Sequence, residues 1–390
     1  MTEENNTKIV RHGYFLGKIE PSRIETILKK IKILLEEKLE ESKTDTEKYR
    51  ILQEIKKAIT KEGFFSNTHQ KDLATDYNFS NQEINWLEKH SENEWLDYMV
   101  FRYKFKLYPG QRKINDFPLH LLIELVSFCN LKCVMCFQSD PLFKKEKQGT
   151  MSWELLKKVI KEAKENNCGA ITIASRGEPT LHPEFGKMLQ YVAETGFMEI
   201  KINTNGMLLT EKKCHEILKA NINEVVFSID ACNKKTYEKL RRGANFEKVV
   251  SNVEMFHKIR KEQYPNSITT TRVAGVQVTK EQNLEEMHAF WKDKVDEVMM
   301  KKAVERWDTY NNPESTVKTP CKLLWERMYI WFEGTTNPCD FDWQSNLTIG
   351  NVKERKIIDI WKGPEYEELR KKHLTGKRNK INPCDKCTLI

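Results

Sequence analysis

The chain has 390 residues and a net charge of +8, with 39% hydrophobic and 31% charged residues, a composition that excludes disordered and fibrous proteins. No stretch approaches the roughly 20 consecutive apolar residues of a membrane span. Basic and acidic residues alternate, so neither a membrane nor a nucleic acid is an expected partner. The polar first residues are unlike a secretory signal, and we expect a cytoplasmic location. Ten cysteines in a reducing compartment favour metal ligands over disulfides.

Residues 1–115 are predicted to form a helical N-terminal extension. The Ser/Thr-x-x-Glu pattern, in which two side chains satisfy unpaired helix-start donors, begins at Ser22, Thr44, Ser80 and Ser91. Apolar residues between positions 24 and 39 follow helical spacing. Gly63 is expected to end the second helix.

Residues 116–305 alternate between apolar runs and amphipathic segments. Strands are predicted near 120–128, 169–175, 198–205, 224–230, 270–278 and 296–303, and helices near 152–167, 182–195, 210–220, 234–261 and 283–294. This βα rhythm predicts an α/β fold with a parallel sheet, curled as a partial (β/α)6 TIM-like barrel. Ligands of such sheets bind at the C-terminal strand ends. Residues 306–390, with a β-rich stretch (327–341) and a helix near 364–374, are expected to form a small α+β cluster-binding domain.

Three cysteines directly follow the first predicted strand of this region. Cys129, Cys133 and Cys136 have the spacing C-x3-C-x2-C. A structural zinc ion takes four protein ligands, whereas a cubane iron–sulfur cluster held by three leaves one iron open to the amino and carboxylate groups of an amino acid. A zinc knuckle, a ferredoxin-like electron carrier and three buried thiols are the alternatives.

Polar motifs also lie at the ends of the next strands. Arg-Gly-Glu-Pro-Thr begins at Arg176 after the second strand, and Asn-Thr-Asn-Gly begins at Asn203 on the third. Ordinary turns, and a solvated helix charge at position 241, are the plain alternatives. The candidate binding residues are Gly177, Glu178, Pro179, Thr204, Asn205, Ser228 and Arg241.

Four more cysteines occur near the C-terminus, at Cys321, Cys339, Cys384 and Cys387. Four thiolates fully ligate either zinc or an iron–sulfur cluster, and the spacing alone does not choose between them.

With its three-cysteine loop, the chain resembles the radical S-adenosylmethionine (SAM) superfamily. The resemblance implies that Cys129, Cys133 and Cys136 hold a SAM-binding [4Fe-4S] cluster. The reduced cluster then cleaves SAM to methionine and a 5′-deoxyadenosyl radical, which abstracts a substrate hydrogen atom. The Gly-Glu-Pro motif would hold the SAM amino group, with Arg176 in place of the family's first glycine. The later strand ends would bind the ribose, and Arg241 would bind the SAM carboxylate.

The C-terminal stretch resembles the twitch domain, the short relative of the SPASM domain. This implies that the four C-terminal cysteines fully ligate an auxiliary [4Fe-4S] cluster, which accepts or relays an electron. The expected cofactors are therefore SAM and two [4Fe-4S] clusters, and the expected reductant is a flavodoxin or ferredoxin.

Resemblance to twitch enzymes implies an oxidoreductase of the dehydrogenase or epimerase type. Its expected substrate is a small carbohydrate-like metabolite such as a sugar. A peptide- or protein-modifying radical enzyme is the alternative. A non-catalytic iron–sulfur or zinc-binding protein, for electron transfer or interaction, is the alternative from another class. Cys232, after the fourth strand, is a candidate hydrogen-atom donor, or a loop cysteine without a role.

Overall fold

The computed structural model describes residues 14–15, 21–41, 46–60, 77–140, 143, 148–303 and 309–388. Its N-terminal part contains strand β1 (Tyr14–Phe15) and helices α1 (Pro21–Glu41), α2 (Glu47–Ile59), α3 (Asn81–Lys89) and α4 (Glu92–Gln111). The helices bury their apolar faces against one another, with Ile31, Leu35 and Ile55 fully inside. Within the described residues, no helix has both the length and the apolar character needed to cross a bilayer.

Two of the four predicted helix starts are confirmed. Capping boxes are present at Ser80 and Ser91, where glutamates three residues on accept from the serine backbone N–H groups. The start at Ser22 is wrong because α1 already begins at Pro21, a residue that suits the first helical position. Helix α2 is capped by Thr46, whose hydroxyl accepts from the Tyr49 N–H. The predicted signals at Thr44 and Gly63 lie outside the described residues.

The predicted α/β barrel is confirmed. Six parallel strands follow one another in the sheet: β2 (His120–Ile123), β4 (Ala170–Ile173), β5 (Glu199–Thr204), β6 (Glu224–Ser228), β8 (Thr270–Gln277) and β9 (Glu297–Lys302). The short pair β3 (Lys132–Cys133) and β7 (Arg241–Arg242) forms a separate ladder. The connecting helices are α5 (Trp153–Glu165), α6 (Phe185–Glu194), α7 (Glu211–Ala220), α8 (Lys234–Leu240), α9 (Phe246–Gln263) and α10 (Leu284–Trp291).

The single helix predicted over 234–261 is wrong, since it divides into α8 and α9. The break occurs at Gly243, whose φ of 89° lies in the left-handed region that glycine adopts without steric cost. Asn245 then caps α9 by accepting from the Lys248 N–H at 2.7 Å. The divided connection lets β7 pair with β3, which places Arg241 opposite Cys133.

The C-terminal region continues the same sheet. Strand β10 (Arg327–Ile330) lies parallel to β2, and β11 (Thr335–Asn337) and β12 (Gly350–Asn351) follow antiparallel. Helices α11 (Ile357–Trp361) and α12 (Pro364–Leu374) complete this region. The boundaries at 115/116 and 305/306 stay a prediction, and the sheet itself crosses the second one.

Helices α3 and α4 cover the N-terminal ends of the barrel strands. The Trp86 indole N–H donates to the Met198 carbonyl at 2.8 Å, just before β5. Arg102 binds Glu199, the first residue of β5, at 3.2 Å. The N-terminal helices therefore form a floor under the barrel, opposite the edge where ligands of such sheets bind.

Candidate functional site

The first cysteine group lies in the loop between β2 and α5. Sγ of Cys129 lies 3.4 Å from the Leu131 N–H and 3.7 Å from the Asn205 amide nitrogen, so both donate towards it. Burial, with smaller contributions from Glu178 and the neighbouring thiols, raises the pKa of Cys129 to about 12. All three cysteines are outside disulfides. The N–H donors directed at the Cys129 sulfur suit a cluster-ligating thiolate, and assembly of an iron–sulfur cluster on this loop would release the thiol protons.

The Gly-Glu-Pro loop packs directly on the cysteine loop. A Cβ on Gly177 would lie 2.2 Å from the Val126 carbonyl oxygen, so only glycine allows this approach. The Glu178 carboxylate is buried beside it and accepts from the Thr204 hydroxyl and the Asn205 N–H, both at 2.7 Å. Pro179 begins the short 3-10 turn Pro179–Leu181. Strand ends β4 and β5 thus place an anionic group next to the first cysteine group.

Arg241 lies on the other side of the cysteine loop. Its Nε donates to Asp230 at 2.7 Å, and its Nη1 lies 3.8 Å from Sγ of Cys133. Asp230 is buried and also accepts from the Val276 N–H at 2.8 Å, which ties it to β8. The alternative of a solvated helix charge is therefore wrong for Arg241. The sequence did not single out Asp230 as the residue that orients it, although its position after a buried strand was the available signal.

Ser228 and Cys232 both follow β6. Ser228 is its last residue and lies opposite Ala274 in the register with β8. Cys232 lies half-buried just before α8, where burial and then the Glu286 carboxylate raise its pKa. Its suggested role as a hydrogen-atom donor stays a prediction.

A buried ion pair links the two cysteine regions. Arg176 donates to both carboxylate oxygens of Glu124, at 2.7 and 2.6 Å, and its guanidinium lies 4.3 Å from the centre of the Trp331 ring. Its Nη1 also donates to the Trp343 carbonyl at 3.4 Å. The residue that departs from the family motif therefore joins the SAM-side loop to the C-terminal region. The sequence missed Glu124, whose place directly after β2 was the only signal.

An aromatic contact crosses the same boundary. The ring of Phe137, next to Cys136, stacks on the Trp343 indole with centroids 5.6 Å apart and planes 12° apart. Tyr310 packs edge-on against that indole and donates to Asp342. Through Trp343, the first cysteine loop touches the segment that follows Cys339.

The second cysteine group is assembled from distant parts of the C-terminal region. Cys321 precedes the 3-10 turn Lys322–Trp325, and Cys339 follows β11. Cys384 and Cys387 flank the turn Cys384–Lys386. Burial, followed by the Cys384, Cys321 and Cys387 thiols, raises the pKa of Cys339 well above its usual value. All three other thiols thus act on Cys339, and four thiolates are the ligand set of a fully ligated metal centre.

Two family models match this chain. The radical SAM superfamily model covers residues 123–291, and the model of an iron–sulfur cluster-binding domain, SPASM, covers residues 321–388. The first includes the first cysteine group and the barrel from β4 to α10, and the second spans the four C-terminal cysteines.

Curated proteins are similar to part of this chain. The chain is 33% identical over 135 residues to a tungsten-containing aldehyde ferredoxin oxidoreductase cofactor-modifying protein of Pyrococcus furiosus, covering 33% of this chain and 37% of the relative. It is 28% identical over 166 residues to a GTP 3′,8-cyclase of Clostridium botulinum, covering 42% and 50%. The matches thus span half or less of these relatives' own length.

A solved structure shares the fold across most of the chain. Streptococcus suis SuiB bound to its precursor peptide SuiA superposes with a TM-score of 0.53 at 18% identity, covering 83% of this chain and 80% of SuiB. By these matches the chain carries a radical SAM domain over residues 123–291 and a SPASM-type iron–sulfur cluster-binding domain over residues 321–388, a combination that implies SAM and two [4Fe-4S] clusters.

Proposed function

We propose that this protein reductively cleaves SAM at a [4Fe-4S] cluster held by Cys129, Cys133 and Cys136, and oxidises or epimerises a small carbohydrate-like metabolite. An auxiliary [4Fe-4S] cluster would be held by the second group, Cys321, Cys339, Cys384 and Cys387. When bound, SAM and the first cluster supply a 5′-deoxyadenosyl radical, and the auxiliary cluster supplies a one-electron acceptor. A flavodoxin or ferredoxin would deliver the initial electron.

The chain's own residues bind and orient SAM. Glu178, fixed by Thr204 and Asn205 next to Cys129, accepts hydrogen bonds from the SAM ammonium. Arg241, held by Asp230 beside Cys133, donates to the SAM carboxylate. Ammonium and carboxylate are the two groups that an amino acid presents to an open iron, so both protein partners flank the position that this chemistry needs.

One observation supports a small polar substrate over a peptide. A cavity of about 380 Å³ occupies the inside of the barrel and is closed at its floor by α3 and α4. This volume lies within the range of sites for small molecules, roughly 300–1,000 Å³. Asn203, which lines the cavity, directly precedes Thr204 of the SAM site. The cavity lining therefore extends to the residue next to the proposed SAM site.

The test is turnover by the reconstituted protein. The protein is loaded anaerobically with iron and sulfide, and about eight irons per chain are expected for two cubanes. It is then incubated with SAM, reduced flavodoxin and fractionated cell metabolites. We expect a metabolite fraction to stimulate 5′-deoxyadenosine formation and to yield a ketone or an inverted stereocentre. Stimulation by peptides alone would favour the peptide-modifying alternative. Absence of SAM cleavage with eight irons bound would contradict the proposal.

A further inference from the structure

The inward face of the barrel carries polar side chains between small and apolar ones such as Ala170 and Val226. In β5, the residues at alternate positions, Glu199, Lys201 and Asn203, are partly accessible, whereas the residue after each of them is buried. Alternate residues of a strand point to opposite faces of the sheet. The accessible set lines the cavity, so the barrel interior is built for a polar ligand.

The charges around the cavity are unbalanced. Three carboxylates line it, Glu199, Glu224 and Glu297. The six lining cations are Lys89, Arg102, Lys201, Arg272, Lys301 and Arg327. Glu83 lies 2.7 Å from Arg102 and Glu326 binds Arg327, so carboxylates outside the lining offset part of this excess. Protein interiors disfavour the excess of like charge that remains unless an opposite charge compensates it.

The three carboxylates are already engaged with the arginines. Glu199 binds Arg102 at 3.2 Å, and Glu224 binds Arg272. Glu297 lies 3.9 Å from Nε of Arg272. Lys201 shares Glu224 with Arg272, at the longer distance of 3.9 Å.

Two further polar atoms in the lining lack partners. Nε of Arg327 and Oδ1 of Asn203 are buried and have no hydrogen-bond partner within the described part of the chain. Buried polar atoms of this kind are usually satisfied by a bound group or water. They lie at opposite ends of their strands, Arg327 at the start of β10 and Asn203 near the end of β5.

The surroundings of Lys201 change the pKa of its side chain. Burial, then the charges of Arg272, Arg327 and Arg102, lower its pKa to about 7. Its side chain is a third accessible because it faces the cavity, although protein surrounds it. A bound anion would offset the repulsion that the neighbouring guanidinium groups exert on its ammonium.

We infer that this cavity binds the phosphate or carboxylate group of a small anionic metabolite, with Lys201 and Arg327 as its principal partners. The inference rests on the proposed function for its place in catalysis, whereas the binding itself is measured without turnover. The anionic group enters the barrel interior, and the rest of the metabolite extends towards Asn203 and the SAM site.

The first test is titration of the SAM-loaded holoenzyme with inorganic sulfate by calorimetry. We expect saturable binding to one site, and a dissociation constant about tenfold larger in Lys201→Gln, because a charge-assisted hydrogen bond is lost. Lys201→Arg keeps the charge and should bind within about threefold of the unchanged protein. Lys212→Gln, whose side chain is 85% exposed on α7, is the matched control and should not change binding. No saturable binding, or equal binding in Lys201→Gln, would overturn the inference.

A second test uses the unaltered protein. The low pKa of Lys201 makes its amine reactive towards acetic anhydride near pH 7. We expect sulfate to protect Lys201 from acetylation in peptide mass spectra while Lys212 is modified as before. Equal labelling of Lys201 with and without sulfate would contradict the inference even if Lys201→Gln failed to fold. Failure of turnover together with intact sulfate protection would reject the proposed reaction alone.

Sulfate binding should also depend on pH. Binding requires the ammonium form, so affinity is highest below the pKa of about 7 and falls as pH rises through it. Lys201→Arg should remove this slope. The other charged or titratable groups of the lining, all retained in that variant, are Lys89, His90, Arg102, His120, Glu199, Glu224, Arg272, Glu297, Lys301 and Arg327.

Discussion

The two cysteine groups are built in different ways. The first occupies one loop, from Cys129 to Cys136, and its spacing is set by local sequence. The second joins Cys321 to Cys387 and depends on the packing of β10, β11 and α12 between them. Arg378, buried there, donates to the Thr319 carbonyl at 2.9 Å and the Cys387 carbonyl at 3.1 Å, which holds the two ends together. Changes in the first group should therefore affect the chemistry alone. Changes in the second group should affect the stability of the fold as well.

The sharpest test of this comparison is Cys133→Ala. Loss of one thiol from the three-cysteine group should abolish 5′-deoxyadenosine formation and reduce iron from about eight to about four per chain. The thermal midpoint should change little, because the loop is not what holds the C-terminal region together. Cys214→Ala, at a fully buried site on α7, is the matched control and should retain iron and activity. Retained SAM cleavage in Cys133→Ala would contradict the assignment of this chemistry to the first cysteine group.

Cys384→Ala tests the distributed group. SAM cleavage should persist, because the first group is intact, while formation of the oxidised product should be lost. Iron should again fall to about four per chain. In contrast to Cys133→Ala, unfolding should begin at a lower temperature, as followed by circular dichroism. An unchanged unfolding temperature would show that the second group contributes as little to the stability of the fold as the first.

Arg176→Met tests the link between the regions. It leaves the Glu124 carboxylate buried without its partner, which should reduce the free energy of unfolding by about 3–5 kcal/mol. Burial raises the pKa of Glu124 even with Arg176 beside it, so the pair carries a large desolvation cost. Arg176→Met combined with Glu124→Leu should therefore be more stable than Arg176→Met alone.

Denaturant unfolding measures these changes. Lys187→Met on α6, whose side chain is 77% exposed, removes an exposed ion pair and should change stability by less than about 0.5 kcal/mol. A double variant as unstable as Arg176→Met would show that Arg176 acts through its contacts with the C-terminal region and not through Glu124.

Trp343→Leu should have the smallest effect of the four. The indole is almost fully buried between Phe137 and Tyr310, and its replacement by a smaller side chain should cost about 2 kcal/mol. Iron content should stay at two clusters. A loss of iron from the first group would show that the aromatic contact also shapes the cysteine loop.

Local signals in the sequence predicted much of the fold. Each barrel strand is an apolar run or an alternating run followed by an amphipathic helix, so all six strands were predicted near their positions. The break between α8 and α9 was not predicted, although Gly243 and Asn245 are the sequence signals for it. The cap at Ser22 was misplaced because a hydroxyl-x-x-Glu pattern does not fix the first residue of a helix when a neighbouring residue such as Pro21 also suits it.

Long-range pairing could not be predicted in this way. Nothing local in residues 327–330 indicates that they lie parallel to β2, since register depends on both partners. The same holds for the covering of the barrel floor by α3 and α4. The environment of Lys201 could be predicted only in part. Its alternation with buried isoleucines in β5 was visible in the sequence, but its cationic neighbours come from other elements.

Strand β10 runs beside β2 from Arg327 opposite His120 to Ile330 opposite Ile123. Cutting the chain after residue 303 would leave β2 with an unpaired edge, which attracts other chains and promotes aggregation. The C-terminal region consequently cannot be exchanged as an independent unit. An engineer who grafts the corresponding part of another enzyme onto this barrel must supply a strand that matches β2 in twist and register before any metal centre can be considered.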